Sequence, residues 1–430
     1  MWYQVNVEGC QPQVRVSHGS TILHQSSENS GEIGRVVLYG GKNNTTCKPE
    51  LSFISIGIGC TEDIAKPQSK QSLGKLSKLL GGSAASIAQS TNSHITNSSS
   101  TTTTTNSQTY VNNHNAQYNH FSNINNNNNN SSSSNHHQQQ QQPQQSFSIQ
   151  QQSKPRKTYS KLPIYSGSVI FHSENASTNG SGPGLRLNHS MVAINSGMHK
   201  GKIILFGGTD EDGNINCSDD LFILDSEQLW WERVRPTGTH LPASRHSHFS
   251  FQISNDSVII FSGIDINNQV LNDIHILTLT SQNLLKWSQP NISGLTPDLK
   301  NKNFKVGYSN NSIWVIQTDG ILYRFDIVNF KWNIVQYKGK SPIVDDRIIS
   351  CTSYANYLVF LVDNEIYFFD TIQLEWLGSS IDGDLPFKRR GHSITMVGSM
   401  LVVVGGQCEY PLSTVLTKDI EIIDLKPFLF

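Results

Sequence analysis

The sequence predicts an all-β fold assembled from repeated four-stranded sheets, on three observations. Five tryptophans are each followed seven positions later by a glycine: Trp2/Gly9, Trp231/Gly238, Trp287/Gly294, Trp332/Gly339 and Trp376/Gly383. Each pair leads to a proline (Pro12, Pro242, Pro297, Pro342, Pro386) and then to a basic residue that opens a new apolar stretch. Those anchors are Arg15, Arg245, Lys305, Arg347 and Arg389, and Arg186 is a sixth without a tryptophan before it. Finally, the apolar runs are short and rich in β-branched residues, with no helical periodicity inside the repeats. Internal repetition at a period of about 40–60 residues implies one solenoid or propeller rather than separate domains.

Each repeat justifies four strands in turn. After the anchor comes a first strand, as in 248–253 and 391–397, ended by a turn such as Ser254-Asn255-Asp256 or Gly398-Ser399. A fully apolar second strand follows, Ile203-Ile204-Leu205-Phe206 or Leu401-Val402-Val403-Val404, and ends in the diglycines Gly207-Gly208 and Gly405-Gly406. Such runs suit strands buried on both faces, and the glycines suit a backbone that bends or approaches a neighbour closely. The third strand ends in aspartate (Asp225, Asp326, Asp370), six positions before the tryptophan that begins the fourth. Six anchors imply six blades. In the fourth and fifth, Thr318-Asp319-Gly320 and Val362-Asp363-Asn364 replace the diglycine and read as tight turns. The sixth has no tryptophan-bearing strand after 420–424, whereas the chain opens with an orphan one at 2–7, so the N-terminal strand is expected to complete the last blade. Such an arrangement removes two free sheet edges.

The first blade carries an insertion. Val36 to Tyr39 with Gly40-Gly41 supplies its second strand, 51–56 the third, and 168–172 the fourth. The division expected is 1–66 for the closing strand and most of blade one, 67–157 for the insertion, and 158–430 for the remaining propeller. From about 83 to 152 the chain is nearly all Ser, Thr, Asn, Gln and His, too poor in apolar groups to offset the entropy of ordering, so disorder is expected there. Loop-closure entropy grows only with the logarithm of length, so the fold tolerates it. Leu73, Leu76, Leu79 and Leu80 fit one face of a short helix that could dock, with plain disorder as the alternative. The basic cluster Lys154, Arg156, Lys157 and Lys161 could contact acidic surfaces, with a solvated linker end as the favoured reading.

Composition narrows the function. A formal net charge of −1 over 430 residues lacks the electrostatic footprint of a nucleic-acid or anionic-membrane binder. No stretch of about 20 apolar residues and no leader-like start is present, so a soluble, cytoplasmic protein is expected. The six cysteines are scattered, without paired or zinc-like spacing, which favours reduced thiols and no metal site. No nucleophile elbow, phosphate loop or paired catalytic carboxylates stand out, so neither enzymatic activity nor a cofactor is expected. His18, His189, His248 and His392 recur at one place in the repeat and read as hydrogen-bonding core residues.

The order Arg-x-x-His/Ser, apolar run, Gly-Gly, Asp-terminated strand, Trp resembles the kelch repeat, which implies a six-bladed β-propeller outside the insertion. The structural repeat residues are then Trp2, Gly40, Gly41, Gly207, Gly208, Trp231, Trp287, Trp332, Trp376, Gly405 and Gly406. The opening Trp2-Tyr3 strand with Gly9, Pro12, Arg15 and His18, and the end soon after a final Gly-Gly blade, resemble Rab-GTPase effectors with kelch motifs. That resemblance implies binding of an active Rab small GTPase, a role in endosome to trans-Golgi transport with peripheral endosomal association, and a monomer. A generic scaffold for ubiquitin-ligase recruitment or cytoskeletal binding is the alternative. The anchors Arg15, Arg186, Arg245, Lys305, Arg347 and Arg389 are expected to ring one face. There they either engage acidic groups of a partner or brace the blades by pairing with acids such as Asp210, Asp212, Asp265, Asp345 and Asp363.

Overall fold

The computed structural model describes residues 2–10, 12, 15–24, 32–42, 50–58, 169–210, 220–280, 284–300, 303–343, 349–378, 388–410 and 413–429. The insertion 67–157, the Leu73–Leu80 stretch, the basic cluster and Arg347 lie outside the described residues.

Six sheets carry four antiparallel strands each, ordered from a first, inner strand to a fourth, outer one, as a β-propeller requires. Blade one is Gly19–Leu23, Glu32–Tyr39, Leu51–Ile58 and Val169–Ala176, the last longer than the expected 168–172. Blade two is Ser190–Ala193, Lys202–Phe206, Leu221–Asp225 and Trp230–Val234. Phe249–Ser254, Ser257–Phe261, Ile274–Leu279 and Leu285–Ser288 make blade three. Blade four comprises Phe304–Ser309, Ser312–Gln317, Leu322–Asp326 and Lys331–Val335. Blade five comprises Ile349–Tyr354, Tyr357–Val362, Glu365–Asp370 and Glu375–Leu377. In blade six, Ser393–Val397, Met400–Val404 and Ile420–Asp424 are joined by Tyr3–Gln4, in the register Tyr3 with Ile422 and Gln4 with Glu421. The N-terminal strand thus takes the outer place in the last blade.

The aspartate that ends a third strand has a local task. Asp225 Oδ1 accepts the backbone N–H groups of Glu227 and Gln228, Asp326 Oδ1 those of Val328 and Asn329, and Asp370 Oδ1 those of Ile372 and Gln373. Each is an Asx turn that fixes the hairpin to the outer strand and delivers the tryptophan to its second or near-second place.

The tryptophan packs backwards, onto the preceding blade. Trp231 joins Val37, Tyr39 and Phe53 of blade one, Trp287 joins Ile204 and Phe206 of blade two, and Trp332 joins Ile259 and Phe261 of blade three. Trp376 meets Trp314 and Ile316, and Trp2 meets Val359, Leu361 and Phe368. The glycine seven places on belongs to the next seam. Gly294 pairs in parallel with Trp332, and a Cβ on it would sit 2.1 Å from the Trp332 carbonyl oxygen, so only glycine allows the strap. Gly180 and Trp231 make the same pair, as do Gly9 and Ser173. Ser173 therefore stands where blade one would carry its tryptophan. The seam between blades six and one is filled by aliphatic side chains, among them Val36, Leu38, Ile54, Val402 and Ile422.

At the inner strands, side chains couple neighbouring blades. His18 Nε2 meets Ser393 Oγ at 3.0 Å, His248 Nε2 meets Ser190 Oγ at 2.7 Å, and His392 Nε2 meets Ser350 Oγ at 2.9 Å, each joining a blade to the one before it. Phe249 against Phe304 does this between blades three and four. His189 faces Gly19, whose hydrogen leaves room for the ring; a Cβ there would lie 2.4 Å from its Nε2. Burial, then the charge of the neighbouring arginine, holds these imidazoles neutral, with His18 and His189 pulled down to about 3 and His392 to about 4.

Two predictions follow from these seams. Ser173 is fully buried and its Oγ has no hydrogen-bond partner among the described residues, so Ser173→Ala is expected to raise the unfolding free energy by about 1 kcal/mol in urea melts. For the histidines, the folded-state values lie below the unfolded value near 6.5, so their contribution is complete above that pH. As pH falls from 6.5 towards 4 the unfolded chain takes up protons that the folded one refuses, and stability drops. Unfolding free energies from urea melts should be lower at pH 5.5 than at pH 7.5 by on the order of 1 kcal/mol per buried histidine.

Candidate interaction face

Within every blade the first strand begins, the second ends and the third begins at the same end, so the anchors and the second-to-third connections gather on one face. That face is built on buried guanidinium groups. Arg245, which is fully buried, donates to both carboxylate oxygens of Asp273 at 2.6 and 2.8 Å, to the Ser262 carbonyl at 2.9 Å and to the Ala243 carbonyl at 3.0 Å. Arg186 donates to the carbonyls of Pro183 and Gly207 and, at 3.0 Å, to Asp220; its guanidinium also lies over the Phe222 ring. Arg15 donates to the carbonyls of Gly40 and Glu50 and pairs with the Glu50 carboxylate at 3.4 Å. Arg389 reaches the Gly405 carbonyl and ion-pairs with Glu421.

In all four, the arginine ties the residue just after the second strand to an acid at the start of the third. The acids are Glu50, Asp220, Asp273 and Glu421, not the sequence neighbours expected. Asp265 instead holds its own loop by accepting N–H groups from Asn267 and Gln269, and Asp363 pairs with Lys388 at 3.0 Å. Asp212 and Asp345 lie outside the described residues. Burial raises the Asp273 carboxyl, but hydrogen bonds from Arg245 and His275 and their charge more than reverse this, leaving it well below the usual carboxylate range.

The expected basic ring is therefore corrected in two ways. Arg15, Arg186, Arg245 and Arg389 are at most 4% exposed and each is already engaged by a carboxylate and a carbonyl of its own blade, so they brace the blades rather than present charge to a partner. Lys305 is not an anchor: it pairs with Ile316 inside the first strand of blade four, the register that Ser350 and Ser393 hold in their own blades. Burial lowers its ammonium pKa. A basic residue near a strand start looks the same in sequence whether it lies before the strand or in it.

Arginine braces coincide with long connections. Blades six, one, two and three join their second and third strands through 405–419, 40–50, 207–220 and 262–273, and these are the braced blades. Blades four and five use the short turns 318–321 and 363–364. The braced blades are also stitched to one another. Ser17, Asn188 and Ser247 all have positive φ, and the N–H of Ser247 donates to Asn188 O, that of Asn188 to Ser17 O, and that of Ser17 to Gly391 O. The second glycine of each pair adds a rung: Gly406, Gly41 and Gly208 donate to the carbonyls of Arg15, Arg186 and Arg245 of the following blade. Gly208 must be glycine, since its φ is +97° and a Cβ would meet Leu187 O at 2.8 Å.

The face is thus lopsided, with four contiguous blades bearing long, anchored connections and two bearing tight turns. Exposed apolar side chains lie on the connections around blade three: Ile266 at the tip of the loop pinned by Asp265, Leu241 on the connection into blade three, and Leu295 on the connection into blade four. Among the described residues, no three His, Cys, Asp or Glu side chains gather as a metal site, and no helix is long and apolar enough to cross a membrane.

The brace can be tested directly. Arg245→Met strands Asp273, whose side chain is a quarter exposed, and is expected to cost about 2–4 kcal/mol in urea melts. Arg233→Met, which removes a half-exposed partner of Asp220, is expected to cost under about 1 kcal/mol.

Comparison with known proteins agrees with this architecture. Residues 169–361 match the family model described as the KLHDC2/KLHL20/DRC7 Kelch-repeats domain. The chain is 23% identical over 229 residues to the Rab9 effector protein with kelch motifs of Xenopus laevis, covering 53% of this chain and 51% of that protein. To the protein of the same name in Bos taurus it is 34% identical over 95 residues, covering 22% and 24% of the two chains. To human Host cell factor 1 it is 25% identical over 217 residues, covering 48% of this chain and 9% of that one. The chain therefore spans about half the length of the Xenopus relative and less of the other two. With its repeated Arg-x-x-His anchors, glycine pairs and Asp-turn-Trp hairpins, the chain carries kelch repeats over residues 169–361 within an all-β, bladed fold.

Proposed function

We propose that this propeller is a non-enzymatic interaction module that acts as an effector of a Rab small GTPase in endosome to trans-Golgi transport, working in the cytoplasm with peripheral association with endosomal membranes. The observation that carries the reading is the lopsided face, where arginine braces fix the described ends of the connections over blades six, one, two and three, from which loops can meet a protein partner. Loops on a rigid scaffold are where propellers and sandwiches place recognition, and fixing them beforehand lowers the entropy cost of binding. The similarity to proteins named Rab9 effectors suggests the class of partner. Ile266, Leu241 and Leu295 supply the desolvated contacts that the centre of a protein interface needs.

The test is a titration of the purified full chain against a panel of purified Rab GTPases, each loaded with a non-hydrolysable GTP analogue or with GDP. At least one should bind its GTP form tenfold or more tightly than its GDP form, and Ile266→Asp should weaken that binding tenfold or more without lowering the melting temperature. Equal binding of both nucleotide states across the panel would refute the effector role and leave a nucleotide-independent scaffold.

A further inference from the structure

The strap that leads from blade one to blade two, Asn179–Gly180, lies outermost on the blade-two sheet and pairs in parallel with Trp230 and Trp231. Two backbone hydrogen bonds hold it: the N–H of Asn179 donates to Leu229 O at 2.9 Å and that of Ser181 to Trp231 O at 3.0 Å. In that register the N–H between them, on Gly180, points away from the sheet. Both strap residues are exposed, and the Asn179 side-chain amide meets no partner among the described residues. This is the one Asn-Gly pair in the 430 residues. Asn175, four positions earlier, is also exposed, but its Oδ1 accepts Ser52 Oγ at 2.8 Å and the residue after it, Ala176, carries a Cβ.

We propose that Asn179 is a self-modification site, at which the chain converts to an isoaspartyl linkage that releases the strap from blade two. The Gly180 nitrogen, giving up its proton to solvent base, attacks Cγ of Asn179; the Cγ–Nδ2 bond breaks, ammonia leaves, and a five-membered imide closes. Water then opens the imide, so that the two steps together exchange an amide NH2 for OH with no oxidation or reduction. Opening at Cγ leaves an ordinary aspartyl residue, whereas opening at the backbone carbonyl carbon routes the main chain through Cβ and Cγ. A glycine favours the first step because no side chain stands beside the attacking nitrogen, and a strap held by two hydrogen bonds opens locally without the rest of the sheet. The isoaspartyl chain is longer by one carbon, about 1.5 Å. Gly180 tolerates no such shift: it has a φ of +83°, and a Cβ on it would already lie 2.1 Å from Trp231 O. The strap then loses its register on Trp231, the indole that fills the seam between blades one and two. Three residues beyond Gly180, Pro183 supplies a carbonyl to Arg186, so the release loosens the entry to a braced blade.

Ageing the purified full chain at mildly alkaline pH tests this independently of any partner. Peptide mass spectrometry should find Asn179 gaining one mass unit at least tenfold faster than Asn175 in the same tryptic peptide, and Asn179→Gln should abolish the gain. In the isoaspartyl fraction, separated by chromatography, hydrogen exchange at 230–234 should be at least tenfold faster than in unaged protein, with Met400–Val404 unchanged as a control on the fold. Asn179→Asp, which adds the charge without lengthening the chain, should keep the unaged rate at 230–234. Conversion at Asn179 no faster than at Asn175 would overturn the proposal. So would unchanged exchange at 230–234 in the isoaspartyl fraction, or equal loosening by Asn179→Asp, which would assign the release to charge.

Discussion

A buried guanidinium at the base of a long connection is the interaction on which the rest of this propeller depends. Placing an arginine inside a sheet is unfavourable unless its donors are satisfied and its charge is met. Arg245 satisfies both demands with one carboxylate and two carbonyls, and its own carbonyl accepts the N–H of Gly208 from the preceding blade. One residue thus closes the loop of its own blade and registers it against its neighbour. Where the connection shrinks to a tight turn, as at Asp363-Asn364, there is no long loop to close.

The seams obey a second constraint. A flat indole fills the wedge between two twisted sheets, and the strap from the previous blade can approach the indole's backbone only as glycine. Tryptophan and glycine recur together because each makes room for the other, although they sit in successive blades. Ser173 breaks the pattern in one seam, where branched aliphatic side chains take over the filling and a hollow remains at one end.

Much of this was legible in the chain. Strand order, the aspartates that end the third strands and the burial of the recurring histidines could be read from spacing, because each is set by local geometry repeated several times, and the place of the N-terminal strand followed from counting strands. The partners of the arginines could not. Asp273 lies 28 residues beyond Arg245 and meets it only through sheet register, so neighbours in sequence such as Asp265 were the wrong acids. Lys305 misled for a related reason: the fourth and fifth blades have lost the long connection, and without it the spacing between anchor and strand carries no register. The missing tryptophan of blade one could have been placed by counting back seven from Gly180 to Ser173, but the insertion hid the frame.

The pairing of Tyr3 with Ile422 has a consequence for how the protein is made. The strand at Tyr3 must wait for blade six to be made before either finds its partner, so the ring cannot close earlier, and the pairing spans 419 residues of sequence (422 − 3). Until then the third strand of blade six and the strand at Tyr3 are both open edges, and a nascent chain that pairs with another copy at that point would build a swapped assembly from correctly formed blades.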